Sequence, residues 1–342
     1  MTYIAEYLPR LGHLSIEITS ISQENLSTIE VQGNENIILV LNHSPSIKIK
    51  SPIPVTHISL IGVKSEETKL KLTLKVHADQ NPGSSEEVEP KWSCKWLRTH
   101  TTKHHSSNVF KFICSNCSYE IINSLSYQFK DMPNEFWYEM MDYWHCHKPE
   151  DNHPTDKDYG ILVPKDSKDI FIGSYYLLLC KSDNVIAKDK LYHCKGCNNV
   201  VGEKYQNVIK LLKWKIDLEY TNEDQKVISK YDPTLFVADF FNTQLRSSAS
   251  RRFKIKSNKK WIYLWIMNTG IDVTLNDQIL NNCLKILYTE IINSKDEGKY
   301  EEIESQYEEV RESFLKTLQQ NTIPSKTLIG SLEYSISFIP TS

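Results

Sequence analysis

Four cysteines arranged in two pairs are the residues whose type and spacing point most directly to chemistry in this sequence. Cys114 and Cys117 form one Cys-x-x-Cys unit, and Cys194 and Cys197 form a second. The tight turn within such a unit lets both thiolates point at one tetrahedral metal ion. A single pair is also typical of a redox dithiol, but two pairs favour one closed four-thiolate site. We therefore predict one structural zinc ion held by all four cysteines.

His193 is an alternative ligand at this site, because an imidazole beside Cys194 can also bind zinc. The thiol of Cys194 fits the spacing of the pair better. A site of four protein thiolates has no open position for water, so it stabilises a fold and does not catalyse. The cysteines Cys94, Cys180 and Cys283 lie among apolar or aromatic residues, which is typical of thiols that pack in the interior.

A second cluster, His145, Cys146 and His147, follows an aromatic segment that contains Trp137 and Trp144. Three interpretations of it compete. The aromatic residues belong to the core, with the histidines and cysteine buried or in a second structural site. Alternatively, Cys146 is a nucleophile, which requires a base more distant than its sequence neighbours. In the third, Cys146 and His147 offer a thiolate and an imidazole to a metal ion on another protein.

The elements that must position these residues are mostly strands. Residues 69–76 are apolar at every second position, as in a half-buried strand. Further strands are predicted at 14–18, 37–41, 56–63, 109–113, 169–179, 208–218 and 333–339. One helix is predicted from Pro133 toward Tyr143 and another over residues 299–319. A third helix is predicted after Thr274. Thr274 and Asp277 resemble a capping box, and apolar residues and Cys283 follow at helical spacing.

These elements predict an α+β protein that is mainly antiparallel β with a few helices and is stapled by the zinc site. We expect two regions. Residues 1–205 form a β-rich region that carries the four-cysteine site and the Trp-His-Cys-His loop at 144–147. Residues 206–342 form an α+β region packed against the first.

Composition and charge favour a folded protein of a reducing compartment. The 342 residues carry a net charge of -3, with 40% hydrophobic residues. Neither a leader-like N-terminal segment nor an apolar stretch of about 18 residues is present, so we expect a nuclear and cytoplasmic protein without membrane contact. The basic alternation of Arg252, Lys254 and Lys256 predicts a strand with a solvated basic face, with contact to an acidic partner or RNA as the alternative. Overall we expect no direct RNA binding.

The order of several motifs resembles the HECT-like family, whose members bind ubiquitin-conjugating enzymes. The motifs include Trp92 before the first cysteine pair, residues 132–137 and 142–149, and residues 173–176 before the second pair. The similarity runs over nearly the whole chain, so residues 206–342 would be a HECT-like region. Chain length and motifs are most similar to fungal members linked to messenger-RNA cleavage and polyadenylation.

This resemblance implies two activities. One is ubiquitin-protein ligase activity through a recruited conjugating enzyme. The other is docking on the metallo-β-lactamase-type endonuclease of the cleavage and polyadenylation machinery, with Trp137, Trp144, Cys146 and His147 as the partner-binding residues. A thiolate and an imidazole aimed at a two-zinc centre would shield it from substrate and water. No cysteine follows Cys283, which argues against a ubiquitin thioester near the C-terminus but not against scaffolding.

Overall fold

β-Strands make up most of the described chain, which confirms a mainly antiparallel β protein with a few helices. The computed structural model describes residues 2–19, 26–42, 45–66, 69–77, 89–101, 109–133, 162–222, 225–257, 260–303 and 307–341. Within these ranges, no helix is long and apolar enough to cross a lipid bilayer.

The described strands and helices are as follows in chain order. The first strands are β1 Tyr3–Leu8, β2 His13–Thr19, β3 Leu26–Gln32, β4 Asn36–Leu41, β5 Ile47–Lys50, β6 His57–Glu66 and β7 Lys69–His77. Next come helix α1 Cys94–Thr101 and strands β8 Phe110–Cys114, β9 Glu120–Asn123, β10 Gln128–Asp131, β11 Asp169–Ile172, β12 Tyr176–Leu179, β13 Val185–Lys188, β14 Leu191–Cys194, β15 Val200–Tyr205, β16 Val208–Leu212, β17 Ile216–Asn222 and β18 Gln225–Lys230. The last elements are helix α2 Thr234–Ser247, β19 Arg252–Ser257, β20 Lys260–Leu275, β21 Gln278–Thr289, β22 Glu301–Glu302, helix α3 Glu308–Gln320, β23 Thr322–Ile329 and β24 Leu332–Pro340.

The first of two compact units combines Met1–Val88 with Thr234–Ser342. Its large sheet has ten strands, in the order β23-β24-β21-β20-β1-β2-β7-β6, with β19 beside β20 and β22 beside β19. Only the short β19–β22 pair is parallel among the described pairs of this sheet. Strand β1 lies inside the sheet because it pairs with β2 on one side and with β20 on the other. Two distant parts of the chain therefore build one sheet.

One face of this sheet packs against the small sheet β3-β4-β5. The predicted alternation in residues 69–76 is confirmed, because Leu70, Leu72 and Leu74 are fully buried. They share a core with residues of both sheets: Ala5, Leu14, Ile16, Ile18, Ile37, Leu39 and Ile49. Burying such alternating apolar side chains is the main stabilising contribution available to a two-layer sheet structure.

The second unit is Glu89–Pro233. It contains a seven-stranded sheet, in the order β10-β11-β12-β16-β15-β14-β13, and a four-stranded sheet, β18-β17-β8-β9. Strands β10 and β11 are parallel, and the other described pairs are antiparallel. The predicted boundary after residue 205 falls in the turn of the β15–β16 hairpin, where Tyr205 pairs with Val208. Strand pairing, and not one cut in the chain, therefore decides which residues belong to each unit.

The helix predicted after Thr274 is wrong, because these residues form the hairpin β20–β21. Asn276 and Asp277 have φ angles of 45° and 73°, which suit a two-residue hairpin turn and not a helix start. Asn282 also has a positive φ, 48°, and the β20–β21 register shifts beside it. Such a bulge moves the apolar alternation by one residue, so the spacing around Cys283 imitates that of a helix.

The predicted C-terminal helix and final strand are confirmed as α3 and β24. Helix α3 begins at Glu308 and not near residue 299, because residues 294–299 form a 3-10 helix and β22 follows. The strands predicted over 169–179 and 208–218 are each divided into two shorter strands. Helices α1 and α2 were not predicted. The helix predicted from Pro133 lies outside the described residues.

Candidate metal centre

The four cysteines of the two predicted pairs lie together in the second unit. Their sulfur atoms all lie within 4.8 Å of one another, with Cys114 Sγ 3.7 Å from Cys197 Sγ and Cys117 Sγ 3.6 Å from Cys194 Sγ. These distances exceed the S–S bond length of about 2.05 Å, so the thiols are free. Four sulfurs around zinc at about 2.3 Å would stand about 3.8 Å apart. The cluster can therefore hold one tetrahedrally coordinated metal ion.

The first cysteine pair sits in a tight turn directly after β8. The N–H of Ser118 donates to the carbonyl of Cys114 at 2.9 Å, and the N–H of Cys114 donates to the carbonyl of Tyr119 at 2.9 Å. Ser118 has a φ of 59°, a left-handed conformation that turns the chain back on itself. This turn directs the side chains of Cys114 and Cys117 to the same point.

The second pair repeats the same turn after β14. The N–H of Asn198 donates to the carbonyl of Cys194 at 2.8 Å, and the N–H of Cys194 donates to the carbonyl of Asn199 at 2.8 Å. Asn198 has a φ of 63°. The N–H of Gly196 also donates to Cys194 Sγ at 3.3 Å, which helps to orient this sulfur within the turn. The two turns together bring four sulfurs to one place.

The cysteines of the cluster differ in how readily they ionise. Burial raises the pKa of the Cys114 thiol to about 12. The backbone N–H of Asn199 lowers the pKa of Cys197 to about 6. A bound cation would favour the thiolate at all four positions, because a metal ligated by sulfur displaces the thiol proton. A soft divalent cation would therefore compete with protons for these four sulfurs.

His193, the alternative ligand, is not among the clustered groups. Its Nδ1 lies 2.8 Å from the carbonyl oxygen of Asn198 and donates a hydrogen bond to it. The imidazole thus supports the second turn from outside the sulfur cluster. The partner-binding residues predicted from the resemblance, Trp137, Trp144, Cys146 and His147, lie outside the described residues.

The remaining described cysteines lie apart from the cluster. Cys283 is completely buried beside Ile271 and Phe338, and burial raises the pKa of its thiol to about 12. Burial and, less strongly, Asp131 raise the pKa of Cys94 to about 11. Cys180 donates to the carbonyl of Pro164 at 2.9 Å. None of these three thiols ionises readily at neutral pH.

A buried lysine joins two of the motifs that carry the family resemblance. Lys213 is fully buried, and its Nζ donates to the carbonyls of Lys91 at 2.8 Å and Ser174 at 3.0 Å. It therefore connects the chain just before Trp92 to the motif at residues 173–176. Sequence reasoning missed Lys213. The available signal was a lysine at the end of the apolar strand β16, where a solvated lysine is not expected.

The basic alternation in β19 forms a strand, as predicted. Phe253 and Ile255 are buried on one face. On the other face, Arg252 lies 4.5 Å from the Trp265 ring and Lys254 lies 4.8 Å from the Trp261 ring. These cations are half-buried against aromatic rings of β20, so much of the basic face is occupied by cation–π contacts.

Comparison with known proteins places the chain in a family. The model of the family described as HECT-like Ubiquitin-conjugating enzyme (E2)-binding matches residues 6–327. The uncharacterized protein YJR141W of Saccharomyces cerevisiae is 25% identical over 312 residues, which are 85% of this chain and 84% of the relative. No solved structure matches. Since the family model covers almost the entire chain, this protein belongs to the HECT-like ubiquitin-conjugating enzyme (E2)-binding family.

Proposed function

We propose that this protein binds a ubiquitin-conjugating enzyme and promotes ubiquitin transfer as a scaffold, without forming a thioester on Cys283. The family match over residues 6–327 carries the proposal. Complete burial of Cys283 and its raised pKa support the scaffold mechanism, because an acceptor thiol must be accessible and readily ionised. No cysteine follows Cys283 in the sequence.

Reconstituted ubiquitin discharge tests this proposal. Purified conjugating enzymes charged with ubiquitin are mixed with the protein, and the rate of transfer to free lysine is measured. We expect acceleration with at least one enzyme, an unchanged rate with Cys283→Ala, and no band sensitive to reducing agent on this chain. Cys146→Ala is assayed in parallel, because that thiol lies outside the described residues. Absence of both binding and acceleration across the conjugating enzymes would refute the proposal.

We further propose that the metal held by the four cysteines is zinc. Support comes from the tetrahedral spacing of four sulfurs, from the closed donor set, and from the repeated turns that present it. When bound, zinc would cross-link the two cysteine turns and would take no part in a reaction. Elemental analysis of protein purified without chelators should give one zinc per chain. Iron at that stoichiometry, seen as visible absorption from thiolate-to-iron charge transfer, would contradict the assignment.

A second candidate function is docking on the metallo-β-lactamase endonuclease of the cleavage and polyadenylation factor through Cys146 and His147. The cysteine cluster supports it in one respect. The two pairs that come together at the cluster flank the Trp-His-Cys-His segment in sequence, so a bound metal would close the base of the chain region that carries it. This candidate function carries with it a proposed nuclear and cytoplasmic location.

A pull-down with the purified endonuclease tests the second candidate. The double variant Cys146→Ala/His147→Ala should lose binding and any inhibition of cleavage while keeping its melting temperature. Trp137→Ala and Trp144→Ala should weaken binding. Cys114→Ser should also weaken binding, but with a lowered melting temperature, because it loosens the base of the region. Unchanged affinity of the double variant would eliminate this function.

A further inference from the structure

Strand β6 forms one edge of the ten-stranded sheet. It runs over ten residues, His57–Glu66, and among the described strands it pairs with β7 alone. The outer edge of such a strand presents backbone N–H and carbonyl groups that a further strand can pair with. At about 3.3 Å per residue, this edge is long enough for an extended peptide of similar length.

The middle of this edge is apolar. Leu60 and Ile61 are 52% and 51% exposed, although both are large apolar side chains. The register with β7 shifts between Leu60 and Gly62, and a side chain placed at Gly62 would meet no described atom within 4 Å. Edge strands are usually protected by charges at their centre. In β6 the charged residues Lys64 and Glu66 lie toward the end of the strand and leave Leu60 and Ile61 as an exposed apolar section.

Lysines dominate the solvent face beside this section. Lys64, Lys71 and Lys75 are exposed, and Lys64 lies directly opposite Lys71 in the β6–β7 pair. Like charges in directly opposed positions destabilise a sheet. Two acidic residues lie near them. Glu17 stands opposite Lys71 in the β2–β7 pair, lies 3.8 Å from Lys69 and accepts a hydrogen bond from Ser325, and Glu66 stands opposite Lys69.

Within the described residues, Lys64, Lys71 and Lys75 form no ion pair. The face therefore carries positive charge that an acidic partner would neutralise. An added strand would lie about 5 Å from β6 and about 10 Å from β7. Flexible lysine and glutamate side chains can bridge both spacings.

We propose that the β6 edge accepts an extended segment of a partner protein as an additional strand, and that this segment alternates apolar and acidic residues. Its backbone would pair with β6, and its apolar side chains would cover Leu60 on the core side. Its carboxylates would lie beside Lys64 and Lys71 on the solvent side. The proposal goes beyond binding of a conjugating enzyme and does not depend on it.

Fluorescence anisotropy with the full chain and labelled ten-residue peptides tests this surface. The probe alternates valine and glutamate. One comparison peptide alternates valine and lysine, and another keeps valine and glutamate but is N-methylated on every second residue, which removes donors on one backbone edge. We expect saturable binding of the first peptide, and binding at least about tenfold weaker for the other two.

Two matched triple variants distinguish an effect of this lysine face from an effect of the net charge of the protein. Lys64→Gln/Lys71→Gln/Lys75→Gln should weaken binding about tenfold or more with an unchanged melting temperature, because all three side chains are exposed and glutamine creates no pair of like charges. The control Lys204→Gln/Lys295→Gln/Lys316→Gln changes the net charge equally at exposed positions elsewhere, and should bind like the unmodified protein.

Several results would overturn the proposal. They are no binding of the valine–glutamate peptide, equal binding of the N-methylated peptide, and equal loss in both triple variants. Tighter binding of a uridine oligonucleotide than of the peptide, lost in the β6–β7 variant, would assign the face to nucleic acid instead. Concentration-dependent dimers abolished by the same variant would assign the edge to a second copy of this chain.

Discussion

Individual cysteines of this protein have different chemistry because their surroundings differ. Cys114 and Cys197 lie in one cluster with pKa values moved in opposite directions, by burial and by a backbone N–H respectively. Cys283 is enclosed by apolar side chains and is kept protonated. A cysteine count by itself does not distinguish these roles, since reactivity follows exposure and neighbouring dipoles.

Removing one thiol of the cluster should release the metal and destabilise the fold. We expect Cys114→Ser to lose the bound metal and more than about 3 kcal/mol of unfolding free energy, because a structural metal contributes directly to folding. The matched control is Cys180→Ser, whose thiol donates to a carbonyl outside the cluster, a hydrogen bond that serine can keep. Metal content and thermal unfolding measure both. Equal losses in the two variants would contradict a specific role for the cluster.

The half-buried carboxyl of Asp272 should make stability depend on pH. It stands opposite Tyr7 in the β1–β20 pair and accepts a hydrogen bond from the N–H of Asn282 at 2.8 Å. Burial raises the pKa of this carboxyl above its unfolded value of about 3.9. The folded state therefore holds the proton more tightly, and its stabilising effect is complete below the unfolded pKa and is lost as pH rises through the folded pKa.

Asp272→Asn should test this dependence, because asparagine keeps the acceptor oxygen and cannot ionise. We expect the variant to melt at a higher temperature than the unmodified protein at pH 7, with the difference shrinking as the pH falls toward about 4. Thermal melts of both proteins across that range give the comparison. A difference independent of pH would show that ionisation of Asp272 is not its cause.

At the scale of elements, the two cysteine turns pack against each other through an aromatic ring. A Cβ placed on Gly196 in the second turn would lie 2.8 Å from the Cβ of Tyr119, which follows the first turn. Such a distance is too short for two carbon atoms, so glycine is required for this approach. The packing couples the geometry of the turn after β8 to that of the turn after β14.

Gly196→Ala should therefore destabilise the cluster by about 1–3 kcal/mol and speed metal loss to a chelator, as expected for overpacking. Tyr119→Ala should cost less, because that side chain is partly exposed and the Cys114 hydrogen bond uses only its backbone. The double variant should stay nearly as unstable as Gly196→Ala, because alanine at position 119 keeps the Cβ that lies 2.8 Å from the added carbon. Full recovery of stability in the double variant would mean that the ring of Tyr119, and not its Cβ, is the obstacle.

At the scale of the whole molecule, each compact unit completes its own sheets. Strand β1 needs β20, which lies more than two hundred residues later, whereas β8 pairs with β17 within residues 89–233. A cut after residue 205 would remove β16 from both β12 and β15, β17 from β8 and β20 from β1. Four strands of the 1–205 fragment would lose a neighbour, and exposed edges of this kind promote aggregation.

We expect a fragment of residues 89–233 to bind one metal ion and unfold cooperatively, because its described sheets are complete within it. A fragment of residues 1–205 should be poorly soluble or unfold without cooperativity. Metal analysis and thermal unfolding of both fragments provide the test. A cooperative, soluble 1–205 fragment beside an unfolded 89–233 fragment would favour the division at residue 205.

The sequence alone determined the features that a few neighbouring residues encode. Alternation identified strands such as β2, β4 and β7, because the side-chain period of a strand is visible wherever one face is buried. Local turn chemistry identified both cysteine pairs, since each Cys-x-x-Cys unit forms its own turn. The family resemblance rested on short motifs of the same local kind, and the family match over residues 6–327 confirmed it.

Features that depend on residues far apart in sequence became visible only in the folded chain. The bulge near Asn282 hid the hairpin β20–β21, because its shifted alternation resembles helical spacing. The pairing of β1 with β20 and the edge position of β6 among the described strands carry no local signal, and the partners of buried Lys213 lie far away in sequence. Pairing is selected by which apolar faces can be buried together, and that is a property of the whole chain rather than of any one segment.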